Sequence, residues 1–201
     1  DFDTLFAEMA EIPRKRAKLI NLAMMYGMGV NKLADQLNID KAEAKVLTER
    51  YHERVPFVRQ LMQGVSRRLN DPRSSGSIRS LRGRKCRFDL WEPDSFEMHK
   101  ALPREEALAE YGATTRLVRA YTYKSLNRLI QASAADMCKQ SMVNLFKMGV
   151  VPLVQIHDEL CFSVENRKEA EKYAEIMEQA VLLEIPNRCD IKIGLSWGEA
   201  S

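Results

Sequence analysis

No apolar run among these 201 residues approaches the roughly 18 needed to cross a bilayer as a helix, and no secretory h-region opens the chain. No C-x-x-C pair occurs. The four cysteines, Cys86, Cys138, Cys161 and Cys189, stand far apart, so neither a zinc site nor a disulfide framework is indicated. Internal repeats and low-complexity tracts are absent as well. What these absences leave is a soluble globular chain with reduced thiols, expected in a cytoplasm and away from any membrane. A composition of 45% hydrophobic and 29% charged residues fits that class. The length is enough to bury a substantial core in one or two domains.

The net charge is only +3, but it is unevenly spread. Between Arg67 and Arg87 stand eight basic residues against one acid, Asp71, so the rest of the chain is net acidic. Such a block is ordinarily solvated surface. On a segment punctuated by Pro72, Gly76 and Gly83 it also suits binding to a phosphate backbone, with Arg82, Arg84 and Lys85 as the candidate contacts.

The hydrophobic spacing predicts a helix from Pro13 to about Met25, ended by Met28 and Gly29, and a second from about Asn31 to Leu37. Asp40 is placed to cap a third, from Lys41 to about His52. Val58, Leu61, Met62, Val65 and Leu69 have the period of a fourth. Residues 70–87 read as loop with a short hairpin. Helical spacing resumes near Arg104 and runs to Gly149, with a break expected at 127–131 and a new start at the capping-box pattern Ser133-x-x-Asp136. The apolar runs 151–156 and 160–164 flank His157-Asp158-Glu159 and predict a β-hairpin with acids at its tip. Asn166 and Glu169 have the spacing to cap a helix reaching about Glu184, and 189–193 alternate like a closing strand. The fold class expected is α+β, a mostly helical first half followed by an antiparallel-sheet second half.

Two places carry chemistry. At 100° per residue, the helix from Pro13 puts Arg14, Lys18, Asn21, Leu22, Met25 and Tyr26 on one side and Ala17, Ile20, Ala23 and Met24 on the other. Alone, that is the pattern of an ordinary surface helix. The functional alternative is that the two cations neutralise a polyphosphate while the aromatic end packs on a base or sugar. The His-Asp-Glu tip is likewise an ordinary turn sequence when taken alone. A rigid hairpin is nevertheless a good mount for carboxylates that hold divalent cations in phosphoryl transfer.

Taken together and in order, these motifs resemble family A (DNA polymerase I-like) DNA polymerases of phage type. Arg14-x3-Lys18-x7-Tyr26-Gly27 resembles the family's motif B, and Gln155-Ile156-His157-Asp158-Glu159-Leu160 its motif C. Leu81-Arg82-Gly83-Arg84-Lys85 is similar to its Gly-Arg turn. Asn127-x3-Gln131 with Ala134-Ala135-Asp136 is similar to its DNA-contacting helix, and Gly194 with Trp197 to its closing strand. The resemblance implies fingers over 1–105 and the C-terminal part of a palm over 106–201. It implies template-directed DNA synthesis with two Mg²⁺ ions, a dNTP and primer–template DNA. Arg14 and Lys18 would hold the triphosphate, Lys18 also acting in catalysis, with Leu22 beside the sugar and base and Tyr26 closing on the nascent pair. Asp158 would ligate metal with Glu159 as an auxiliary, His157 would touch the primer, and Asn127 and Gln131 would follow the DNA.

Some positions depart from the family pattern. Leu22 stands where phenylalanine or tyrosine is usual, and Tyr123 where bacterial members commonly have arginine. Motif A, which bears the other metal-binding aspartate, is not seen. Asp1 and Asp3 follow no strand and lie too close to Lys18. A further segment carrying motif A, the thumb and possibly an exonuclease is therefore expected as a partner. Phage-type single-subunit RNA polymerases share a similar helix, but their hairpin typically reads His-Asp-Ser; His-Asp-Glu favours DNA synthesis. A non-catalytic DNA-binding module would have no use for a metal ligand beside Arg14, Lys18 and Tyr26.

Overall fold

Pro13 precedes the first turn of helix α1 (Arg14–Met25), where its missing N–H costs nothing. The computed structural model describes residues 4, 7–8, 12–71, 73–95 and 97–200. Asp1 and Asp3 lie outside them. The chain forms two compact units, Asp1–Arg79 with Lys85–Ile130, and Ser80–Arg84 with Gln131–Ser201. This division by compactness falls elsewhere than residue 105, and the assignment of fingers and palm is a functional one that it does not decide.

In the first unit, α1 is followed by α2 (Val30–Leu37), α3 (Lys41–Arg54) and α4 (Pro56–Asn70). Asn38 in the left-handed region ends α2, and the Asp40 carboxylate caps α3 by accepting from the Glu43 N–H at 2.7 Å. The apolar side of α1 (Ala17, Ile20, Ala23, Met24) packs with Leu33, Tyr51, Val55, Val58 and Leu126 in one core. Asn21 is buried with that side, whereas the helical wheel put it on the polar face. The expected hairpin is present as β1 (Ser77–Arg79) and β2 (Lys85–Arg87). The sequence pattern did not show β3 (Leu90–Pro93), β4 (Leu102–Pro103) and β5 (Leu117–Arg119), an antiparallel sheet in the order β4-β3-β5. The Arg119 guanidinium stacks 4.4 Å from the Trp91 ring centroid and donates to the Phe88 carbonyl at 2.7 Å.

Helix α5 (Arg104–Tyr111) ends at Gly112, whose φ is +96°. The break in the helical stretch therefore lies at 112–121 and not at 127–131. Helix α6 (Ser125–Lys147) then runs without interruption through Ser133, so the expected new start there is not found. Ser133 and Asp136 bond to the turn at 80–84 instead, as described below.

The second unit holds the later part of α6, the hairpin β6 (Val154–Ile156) and β7 (Glu159–Cys161), and α7 (Arg167–Glu178). Asn166 caps α7 as expected, accepting from the Glu169 N–H at 3.1 Å. The helix stops six residues short of Glu184, because the Glu178 carboxylate accepts from the Cys189 N–H at 2.8 Å and pairs with Arg188 at 3.2 Å, which requires the chain to turn back. Residues 189–193 are not a strand. Alternation makes a strand only when a ladder partner exists, and β6–β7 is a two-stranded sheet among the described residues. Trp197 begins a short helix, α8 (Trp197–Ala200), not a closing strand. Val151, Leu153, Leu182, Ile185 and Leu195 are exposed in this unit. No helix among the described residues is long and apolar enough to cross a membrane.

Candidate active site

Residues four apart on a helix drift by only 40° per step, so Arg14, Lys18, Leu22 and Tyr26 make one stripe on α1. All four are exposed, including Leu22 at 41% and Tyr26 at 37%, while Ala17, Ile20 and Ala23 behind them are almost wholly buried. The apolar side thus locks the orientation of the stripe. Lys18 forms no ion pair with any described residue, and Arg14 donates to Thr4 Oγ1 at 3.1 Å. Tyr26 is fixed at the helix end by Gly27, whose φ of +68° closes the last turn through Met28 N–H bonding to the Ala23 carbonyl at 2.8 Å. A Cβ at Gly27 would lie 3.2 Å from both the Tyr123 carbonyl oxygen and Met62 Cε, so glycine is needed for space as well as for backbone angle.

The hairpin tip is tighter than its sequence suggested. Ile156 pairs with Glu159, leaving His157 and Asp158 as a two-residue turn and placing Glu159 on β7. His157 occupies the left-handed region at φ +53°, a conformation that costs a non-glycine residue about 1 kcal/mol. Gln155 offsets that strain by donating from Nε2 to the His157 carbonyl at 3.0 Å, and it lies 3.5 Å from Cys138 Sγ on α6. His157, Asp158 and Glu159 are all exposed. Burial pushes the Cys138 thiol up, and the Asp158 carboxylate adds to the shift. Asp158 takes no hydrogen bond or ion pair from any described residue, so both of its oxygens are available to a hard cation. Among the described residues no group of three or more His, Cys, Asp or Glu side chains gathers for a metal.

The turn at Ser80–Arg84 is clamped to α6. Ser80, buried, donates its hydroxyl to Asp136 Oδ2 in a short bond, and the Arg84 guanidinium reaches Asp136 Oδ1 at 2.8 Å and the Ala132 carbonyl at 2.8 Å. The Leu81 N–H donates to Ser133 Oγ at 3.0 Å, and Arg82 to Gln140 Oε1 at 2.9 Å. The Ser80 hydroxyl, with help from Arg84, holds the Asp136 carboxyl below the usual carboxylate range against the opposing effect of burial. Arg82 and Lys85 remain exposed. Asn127 and Gln131, four residues apart on α6, are half-buried and exposed respectively.

The model of DNA polymerase family A matches residues 2–199. The chain belongs to DNA polymerase family A. It is 30% identical to a DNA-directed DNA polymerase of Pseudomonas phage M6, an alignment covering 100% of this chain and 31% of that protein. It is 33% identical to the thermostable DNA polymerase I of Thermus filiformis, over 93% of this chain and 21% of that one. Among solved structures, the POL domain of Pol1 from M. smegmatis, in complex with DNA primer-template and dNTP, superposes with a TM-score of 0.73 at 28% identity. That match covers 99% of this chain and 34% of its counterpart. The chain therefore spans about a third or less of these relatives.

Ser80, Asp136, Gln155 and Cys138 are the residues of this family A chain whose roles sequence reasoning missed. The pattern Ser133-x-x-Asp136 was visible but was assigned to the wrong partner, because a capping box and a side-chain clamp present the same residue types. Asp136→Ala should lower unfolding free energy by about 1.5–3 kcal/mol, since it strands a buried hydroxyl and half-exposed Arg84 together; denaturant titration measures it. A carboxyl whose folded pKa is depressed stabilises above its unfolded value, about 3.9, and loses that contribution as pH falls through the lower folded value. Protection of the Leu81 amide from hydrogen exchange should therefore persist at mildly acidic pH and be lost only as pH falls below the usual carboxylate range.

Clamping also separates the basic residues of the turn. Removing Arg82 or Lys85 should flatten the dependence of log DNA affinity on log salt by about 0.9 each, as expected for lost duplex phosphate contacts. Arg84→Ala should instead loosen the turn and reduce stability. Unchanged salt slopes for all of them would return the segment to solvated surface.

Proposed function

We propose that this chain carries part of the nucleotidyl-transfer machinery of a template-directed DNA polymerase, joining a deoxynucleotide from a dNTP to a primer 3′-hydroxyl. The observation that carries the reading is the Asp158 carboxylate, exposed on a two-residue turn with no competing partner among the described residues of a family A chain. Arg14 and Lys18 hold the triphosphate by charge, Lys18 meeting the negative charge that grows on the leaving phosphates. Leu22 packs beside the sugar and base without a stacking face. Tyr26, held at the helix end by Gly27, covers the nascent base pair. His157 steadies the primer backbone, while Asn127, Gln131, Arg82 and Lys85 hold the duplex.

Asp158, with Glu159 beside it, fits Mg²⁺ by its hard oxygen donors, and further ligands would come from the triphosphate and from a segment bearing the motif A aspartate. When bound, the two ions supply charge neutralisation and a more acidic primer hydroxyl. Through its open carboxylate Asp158 fixes where that charge sits. The same partner segment would cover the exposed apolar side chains of the second unit, whose burial a stable palm requires. Primer–template DNA and a dNTP, the ligands named for the mycobacterial structure, are the ligands proposed for this chain.

The test is primer extension by the complete polypeptide that carries these residues. Addition of the templated deoxynucleotide should depend on divalent metal and be abolished by EDTA. Addition of ribonucleotides in preference, or no templated addition with intact DNA binding, would overturn the reading.

A further inference from the structure

We infer that Gln155 is a positioning residue for the metal site, locking the central peptide of the His157–Asp158 turn so that the Asp158 carboxylate is held in one direction; this rests on the DNA-synthesis reading above. A two-residue hairpin loop has two common forms, I′ and II′, which differ by a flip of the peptide between its two residues. Here that peptide joins His157 to Asp158, since Ile156 pairs with Glu159. Flipping it changes the backbone angles on either side and so re-aims the Asp158 side chain. His157 alone of the pair has a positive φ, +53°, which gives the φ signs of a II′ turn, whose first place glycine usually fills. A histidine there is strained, and does not by itself hold the turn in one form.

The lock is the Gln155 side chain. Its Nε2 donates to the His157 carbonyl at 3.0 Å, and that oxygen belongs to the peptide that would flip. The same nitrogen lies 3.5 Å from Cys138 Sγ, and Cys138 is buried on α6 at 7% exposure. Both N–H donors of one amide nitrogen are therefore used, one on the turn and one on a fixed point of the long helix. Among the described residues, no other side chain bonds to the His157–Asp158 turn. A residue that holds the backbone of a metal ligand sets metal affinity through that ligand, without itself touching the ion. The reach and the donors are both needed. Leucine has nearly the length of glutamine but no donor, and asparagine has the amide but is one methylene short.

The experiment uses the complete polypeptide with the matching dNTP and DNA whose primer lacks its 3′-hydroxyl, and reads bound Mn²⁺ by electron paramagnetic resonance. Gln155→Leu and Gln155→Asn should each weaken Mn²⁺ binding about ten-fold, the scale for a residue that orients a metal ligand. Unfolding stability should stay near wild type, because the β6–β7 ladder does not use the Gln155 side chain. With an extendable primer, the half-saturating Mg²⁺ concentration should rise about ten-fold, while the single-turnover rate at saturating Mg²⁺ stays within about two-fold of wild type. A residue needed only for folding would not move that split. Wild-type Mn²⁺ binding in both Gln155 variants, with binding weakened in Asp158→Asn, overturns the lock and leaves the metal role of Asp158 in place. A rate that saturating Mg²⁺ does not restore also overturns it, since Gln155 would then act on DNA or nucleotide directly. Unchanged Mn²⁺ binding in Asp158→Asn overturns both.

Discussion

Asp158→Asn should remove nucleotide addition, by about 1,000-fold or more, since a catalytic metal contributes several kcal/mol and each 1.4 kcal/mol is a decade in rate. The substitution keeps the size and shape of the side chain and removes only its charge. Asp158 makes no hydrogen bond or ion pair with any described residue, so the turn should survive. What holds it is the β6–β7 pairing and the Gln155 bond to the His157 carbonyl, neither of which involves the Asp158 side chain. DNA affinity should therefore stay nearly constant. Glu159→Gln should cost far less, because Glu159 lies on the strand itself and not in the turn. Equal losses from the two substitutions would show that neither position is special.

Lys18→Ala should lower turnover by about 100- to 1,000-fold, the range seen when a single preorganised electrostatic donor is removed. Three features separate this effect from misfolding. Lys18 is exposed, it forms no ion pair with a described residue, and α1 is held by Ala17, Ile20, Ala23 and Met24 on its other side. Stability and DNA affinity should hardly change. Single-turnover kinetics at saturating dNTP would read the loss as a slower chemical step. A Lys18→Ala enzyme with normal turnover would remove the triphosphate role from the stripe. Arg14 is a less clean probe, since its guanidinium already donates to Thr4.

Local codes made the helices of the first unit legible. The Pro13 start, the Asp40 cap and the stop at Asn38 each act within a few residues, and the apolar period of α1 needs only one core to face. The stripe Arg14–Lys18–Leu22–Tyr26 follows from the same period. Asn21 was misplaced because a helical wheel assigns sides and not burial, and polar Asn21 lies on the boundary that the core covers. Features made by distant pairing were illegible. The β4-β3-β5 sheet joins short segments with no alternation to read, and 189–193 alternate without a ladder partner. Ser133 and Asp136 bond to residues more than fifty positions earlier, so their local spacing pointed to a cap that does not form. At the hairpin, the motif gave the acids but not the turn: only the Ile156–Glu159 register shows that Asp158 stands in the loop and Glu159 on the strand.

Metal binding by Asp158 is tested most directly by Mn²⁺ titration followed by electron paramagnetic resonance, in the complete polypeptide with DNA whose primer lacks its 3′-hydroxyl and the matching dNTP. With chemistry blocked, bound Mn²⁺ is counted without reference to turnover. The Asp158→Asn complex should bind fewer Mn²⁺ ions than wild type, and Glu159→Gln should stay close to wild type, with DNA and dNTP still bound in all three. Unchanged Mn²⁺ binding in Asp158→Asn would contradict the assignment of this carboxylate as a metal ligand.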